Sequence, residues 1–223
     1  MSKEEYCTAQ AETLAYINAQ GIVDHIVYGP MSDRYWSEPV RMVAINLEPW
    51  GYGGCGIFRA VDSELRKWID DSNSGQRSKT ARGTFALMTV ALSHLGGGNK
   101  ASRASFQAAY RDRKLLEQTL LRTTYYNMRP ESNSSKNQNI KAITSVGSSD
   151  LGHLIWREIK ALDPHVLFVS GKAGLAALNV LLGLGKPIGF RECFTHPDGY
   201  IVQSIAHPSR ANYSQWTAAV EAV

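Results

Sequence analysis

Apolar residues recur along this chain in two alternating rhythms. The short β-rich runs Val40–Leu47, Leu121–Tyr126, His165–Ser170 and Tyr200–Ala206 are too brief for helices and predict four strands. Around them the apolar positions follow helical spacing. Residues 4–20 put Tyr6, Ala9, Leu14 and Ile17 on one face before Gly21 stops the run. Val61–Ile69, Phe85–Leu95, Ser102–Leu120, Leu151–Leu162, Ala173–Leu182 and Tyr213–Val223 read as further helices. Ser72–Thr84, polar and basic, and Glu131–Asn139, poor in apolar residues, read as loops. Gly51–Gly56 holds four glycines in six residues, a turn that lets backbone approach a partner closely. Strands alternating with helices predict a mostly parallel sheet covered on both faces. The expected fold is α/β: a three-layer domain with a central, mostly parallel four-stranded sheet. It is expected to be one domain over 1–223, with an N-terminal helical extension over about 1–38.

Composition narrows the class without naming it. With 223 residues, 43% hydrophobic and 20% charged, the chain suits a globular domain with a substantial core. Its net charge of +4 is mild, and matters only if the cations gather on one face. Cys7, Cys55 and Cys193 are far apart and form no C-x-x-C pair, which argues against a disulfide framework and a cysteine-ligated metal. His25, His94, His153, His165 and His196 show no metal-ligand spacing, so neither metal nor cofactor is expected. The charged start Met1-Ser2-Lys3-Glu4-Glu5 leads into no apolar core of a signal peptide, and no run approaches a membrane span; an intracellular, cytoplasmic location is expected. Ser170-Gly171-Lys172-Ala173-Gly174 lacks the spacing and terminal hydroxyl of a phosphate loop. No G-x-S-x-G elbow is present.

Chemistry enters at the strand ends. Ala44-Ile45-Asn46-Leu47-Glu48-Pro49-Trp50-Gly51, Asn127-Met128-Arg129-Pro130 and Ala206-His207-Pro208-Ser209-Arg210 each follow an apolar β-rich segment. In an open α/β sheet that place is the carboxyl edge, where ligands bind. Asn46, Asn127 and His207 are therefore expected to converge on one crevice from distant parts of the chain.

These segments also carry a likeness. Ile45-Asn46-Leu47-Glu48-Pro49-Trp50-Gly51, Gly56-Ile57-Phe58 and Leu65-Arg66-Lys67-Trp68-Ile69 resemble the first motif region of the single-strand-selective monofunctional uracil-DNA glycosylases, within the uracil-DNA glycosylase superfamily. Ser74-Gly75-Gln76-Arg77 resembles the S-G-x-R element that follows in that family. Asn127-Met128-Arg129-Pro130 resembles its N-Y-C-P, and His207-Pro208-Ser209 its H-P-S, with Asn212 nearby. The resemblance implies a monofunctional DNA glycosylase that flips out a pyrimidine and excises it by water attack. It implies that Asn46 positions the water and contacts the base, and that His207 donates a hydrogen bond to the oxygen where negative charge collects. Phe58 would stack on the flipped ring, and Asn127 would line the base pocket. Asn137 would read the pyrimidine edge, with Asn133 and Asn139 as alternatives for that role. Gly51 and Gly53 would let backbone approach DNA, Ser209 and Arg210 would engage the strand beside the flipped nucleotide, and Arg77 and Lys79 would add a basic strip. The implied partner is DNA, double- or single-stranded, with no membrane and no metal, and the protein is taken to act as a monomer. Neither Asn46 nor His207 is expected to carry core packing.

One departure bears on the substrate. Glu48 and Leu47 stand where the family has glycine and proline. A carboxylate in the pocket accepts from an amine or a hydroxyl, and it is a poor neighbour for uracil. Glu48 therefore points to a C5-modified or hypermodified cytosine of the sort found in phage DNA, with a role in anti-phage defence, as the alternative to uracil repair. Bland readings stand beside these: Trp50 and Phe58 as core aromatics, Asn127 as a turn tie, Glu48 as a solvent ion pair. Two other functions stay open as well: a non-catalytic DNA-binding relative that recognises a modified base, and a small-molecule nucleoside or sugar-phosphate transferase.

Overall fold

A computed structural model describes residues 2–22, 25–46, 57–59, 76–98, 100–128, 140–208 and 213–223, with backbone alone at 25–27, 57–59 and 76–78. In chain order the described elements are α1 Lys3–Ala19, β1 His25–Val27, α2 Arg34–Ser37, β2 Met42–Asn46, β3 Ile57–Arg59, α3 Gln76–Leu95, α4 Arg103–Arg111, α5 Arg113–Arg122 and β4 Thr124–Asn127. They continue with α6 Ile140–Ser145, a 3-10 turn Val146–Ser148, α7 Asp150–Ala161, β5 Val166–Ser170, α8 Gly171–Leu182, β6 Cys193–Thr195, β7 Ile201–Ile205 and α9 Tyr213–Glu221.

The main sheet runs in the order β4-β2-β5-β7-β6. Its first four strands are mutually parallel, and β6 pairs antiparallel with β7. A separate parallel pair joins β1 to β3, with Ile26 opposite Phe58. Every residue of β2 and β5 is buried, the mark of strands covered on both faces. One group of helices reaches the sheet through α3 and α9, with α4 and α5 packed on α3; another reaches it through α8, with α6, the 3-10 turn and α7 behind it and α1 on α7. This is an α/β domain with a mostly parallel, five-stranded mixed sheet, compatible with three layers. Among the described residues no helix is long and apolar enough to cross a membrane.

Three expectations need correction. The sheet has five strands, not four. Strand β6 is three half-exposed or exposed residues at an edge, and so short a segment carries no apolar run to betray it. Within Ser72–Thr84 the residues from Gln76 onward are helical, not looped: Lys79 is exposed while Ala81, Gly83 and Thr84 are buried, so polar residues here occupy the outer side of a helix. Ser102–Leu120 is two helices: the Asp112 backbone is extended, and its carboxylate accepts from the Leu115 N–H at 3.0 Å to cap α5. Helix α1 forms as expected, opened by a reciprocal Ser2–Glu5 cap, although its buried face includes Gln10 and Thr13 where Leu14 was expected. The expected helix Val61–Ile69, the turn Gly51–Gly56 and the loop Glu131–Asn139 lie outside the described residues.

Candidate functional site

Because β4, β2, β5 and β7 run parallel, their carboxyl ends share one edge. Asn46 ends β2 and stands opposite Asn127 at the end of β4. The Met128 N–H donates to the Asn46 carbonyl at 2.8 Å, tying the chain beyond β4 to the end of β2. From β2 the chain moves outward to β4, then crosses back over β2 to β5 and on to β7, so the strand order reverses between β2 and β5. The crevice outside such a reversal is where open α/β sheets bind ligands. The Ser170 hydroxyl, at the end of β5, spans that point by donating to Asn46 Oδ1 at 2.7 Å. Gly171, with φ +71°, then turns the chain abruptly into α8.

Asn46 is only 1% exposed, and its Nδ2 lies 3.5 Å from Thr84 Oγ1 on α3. One residue earlier on α3, Gly83 meets the turn that carries His207. A Cβ there would lie 3.0 Å from the Pro208 carbonyl oxygen and 3.2 Å from Trp216 Cη2. A single helix therefore backs both ends of the candidate site, and close approach requires the glycine. His207 is half-buried, two residues beyond Ile205, which stands opposite Ser170. Asn46 and the end of β7 are two strand spacings apart, about 10 Å. That span accommodates a small ring between them.

Asn127, 3% exposed, is held by two tyrosines. Its Nδ2 donates to the Tyr28 hydroxyl, and the Tyr125 hydroxyl lies 3.5 Å from its Oδ1. Behind Tyr28 the network continues. The Tyr28 carbonyl accepts from the Tyr6 hydroxyl at 3.1 Å and from Gln10 Nε2 at 3.0 Å. The Tyr126 hydroxyl lies 3.2 Å from that of Tyr6 and donates to Glu158 Oε2 at 3.0 Å. Burial pushes the Glu158 carboxyl up to about 7, against the opposing pull of hydrogen bonds from Thr13 and Tyr126. Both site amides are thus fixed in orientation and shielded from water, where a hydrogen bond to a ligand counts for more.

The convergence of Asn46, Asn127 and the turn bearing His207 on one edge is as expected from the sequence. The expectation that Asn46 carries no packing is not: it is buried and bonded on two sides. Phe58 lies in β3 and Arg77 in the first turn of α3, both as backbone only, and Lys79 is exposed on α3. Glu48, Trp50, Gly51, Gly53, Asn133, Asn137, Asn139, Ser209 and Arg210 lie outside the described residues. Sequence reasoning missed Ser170, Thr84, Gly83 and Tyr28. For Ser170 a signal was present, since it is a polar residue closing an apolar strand in the same way as Asn46. Two other histidines have local partners. His165 Nδ1 accepts from the Arg41 N–H at 3.0 Å, and His196 stacks on Tyr200 with ring centroids 4.4 Å apart. Among the described residues no three His, Cys, Asp or Glu side chains are grouped to hold a metal ion. No family model and no curated protein matches the chain.

Proposed function

We propose that this protein is a monofunctional DNA glycosylase of the uracil-DNA glycosylase type, which extrudes a pyrimidine nucleotide and hydrolyses its N-glycosidic bond with water. The observation that carries the reading is the in-register pair Asn46–Asn127 at the strand-order reversal, with the His207 turn on the same edge.

The chemistry suits the residue types. A carboxamide does not take a proton at neutral pH, so Asn46 acts by orienting water through the remaining lone pair of Oδ1, the other being occupied by Ser170. Departure of the base drives the reaction. The water oxygen bonds to C1′ and gives a proton to solvent, and the base leaves with the glycosidic electron pair. His207 donates a hydrogen bond to the base oxygen that gathers this charge, a stabilisation worth roughly 3–4 kcal/mol. Asn127 contributes its amide edge to the pocket, and by the resemblance Phe58 would stack on the ring at about 1–3 kcal/mol. Glu48 would select the base: a carboxylate beside the pyrimidine favours an exocyclic amine or hydroxyl donor, and uracil carries neither. Glu48→Gly would shift preference toward uracil.

The test is release of free base from oligonucleotides containing uracil, 5-hydroxymethyluracil or a hypermodified cytosine, followed by cleavage at the abasic site. Excision is expected, strongest for a donor-bearing pyrimidine. Tight binding with no base release would indicate a non-catalytic reader, and indifference to DNA would indicate a small-molecule enzyme; either result contradicts the proposal.

A further inference from the structure

The chain's positive charge is concentrated on one group of helices. From Gln76 to Arg122, the span of α3, α4 and α5, there are nine lysines and arginines and two acids, a net +7; the whole chain is +4, so the rest sums to −3. Among the described residues Arg122 pairs with Glu38 at 2.7 Å and Arg113 with Glu117 at 3.0 Å. Lys79, Lys100, Arg103, Arg111 and Lys114 are exposed, and among the described residues none has an acidic partner.

Two of the arginines are set on aromatic rings. The Arg82 guanidinium lies 5.9 Å from the Tyr110 ring centroid, joining α3 to α4. That of Arg103 lies 6.0 Å from Tyr213, joining α4 to the start of α9. Tyr213 in turn packs with Phe106 and Trp216, and Trp216 touches Gly83 beside the His207–Pro208 turn. The exposed Arg103 guanidinium, resting on a ring, has lost side-chain freedom in advance, which favours phosphate contact. The helix that exposes Lys79 therefore also meets, through Gly83, the turn that carries His207.

We propose that the α3–α4 face is a track for the DNA backbone beyond the pocket, with Lys79 and Arg103 contacting phosphates of the strand that bears the extruded nucleotide. The identity of the polyanion rests on the glycosylase reading. The track itself has a consequence independent of catalysis: it supplies sequence-independent, salt-sensitive affinity.

The experiment measures binding of a labelled single-stranded oligonucleotide of about 20 nucleotides, lacking any target base, between about 50 and 200 mM salt. Each lost single-strand phosphate contact lowers the slope of log affinity against log salt by about 0.7, so Lys79→Ala/Arg103→Ala is expected to lower it by about 1.4. Its affinity at low salt is expected to fall about ten-fold. Lys79→Arg/Arg103→Lys is expected to keep the slope, which separates charge from folding, and both sites are exposed. DNA binding with an unchanged slope in the alanine variant overturns the track and leaves the glycosylase reading standing. A protein that binds no DNA overturns both, and tighter binding to RNA of the same sequence overturns the assignment to DNA.

Discussion

Asn46 and Asn127 stand opposite each other at the carboxyl ends of adjacent parallel strands, and the Met128 N–H closes the gap between their chains at 2.8 Å. Two neutral amides side by side at a strand-order reversal can orient a water and a polar ring edge without a formal charge. Each is held by a hydroxyl from elsewhere in the chain, Asn46 by Ser170 and Asn127 by Tyr28. On the proposed function these hydroxyls are positioning groups.

Ser170→Ala removes the donor to Asn46 Oδ1 in a buried setting. Leaving that oxygen unpaired costs about 1–3 kcal/mol of stability, measurable by urea unfolding. The freed amide is expected to slow single-turnover excision by about ten-fold, equivalent to about 1.4 kcal/mol of barrier. Unfolding and rate measured on the same preparation separate the two effects, because a purely structural role would lower stability and leave the rate of the folded fraction intact.

Tyr28→Phe deletes the acceptor for Asn127 Nδ2 while keeping the ring against Tyr125 and Tyr126. The loss is expected to be about 1–3 kcal/mol in stability. Discrimination between pyrimidines is also expected to narrow, since Asn127 would no longer be held in one amide orientation. Ratios of kcat/KM across the base panel check it; unchanged ratios would assign Tyr28 a purely structural role.

Glu158 makes stability depend on pH in the direction opposite to an ordinary salt-bridged acid. Its carboxyl is raised from 4.5 to about 7 in the folded protein, so between those values the folded state holds a proton that the unfolded chain releases. The contribution is complete below about 4.5 and is lost as pH rises through about 7. The shift corresponds to roughly 3 kcal/mol. Glu158→Gln retains an acceptor for the Tyr126 hydroxyl and is expected to flatten this part of the profile and to stabilise the protein above pH 7 relative to the unaltered chain. Denaturant unfolding across pH 4–8 reads it, and parallel profiles for the two proteins would contradict it.

What the sequence made legible was local. Strands β2, β4, β5 and β7 announced themselves as short apolar runs, and the polar residues ending three of those runs led to Asn46, Asn127 and His207. What it concealed was contact across long separations. Ser170 reaches Asn46 over 124 positions and Tyr28 reaches Asn127 over 99, and no period in a single chain encodes such pairings. Strand β6 escaped notice because three residues on a half-solvated edge leave no pattern. The start of α3 was hidden by its polar and basic composition, and the break at Asp112 by continuous helical spacing on either side of it. Asp112 three residues before Leu115 is nonetheless a capping signal visible in the sequence itself.

On the proposed function, the edge formed by β2, β4 and β7 performs base excision through Asn46 and His207. Single-turnover release of free base by Asn46→Ala and His207→Ala, each checked for folding by urea unfolding, tests it most directly. The Asn46 variant is expected to lose about 1–3 kcal/mol of stability because it strands the Ser170 hydroxyl, yet to remain folded. Each substitution is expected to slow excision by at least about 100-fold. Near-normal release by folded protein in both variants would contradict the account.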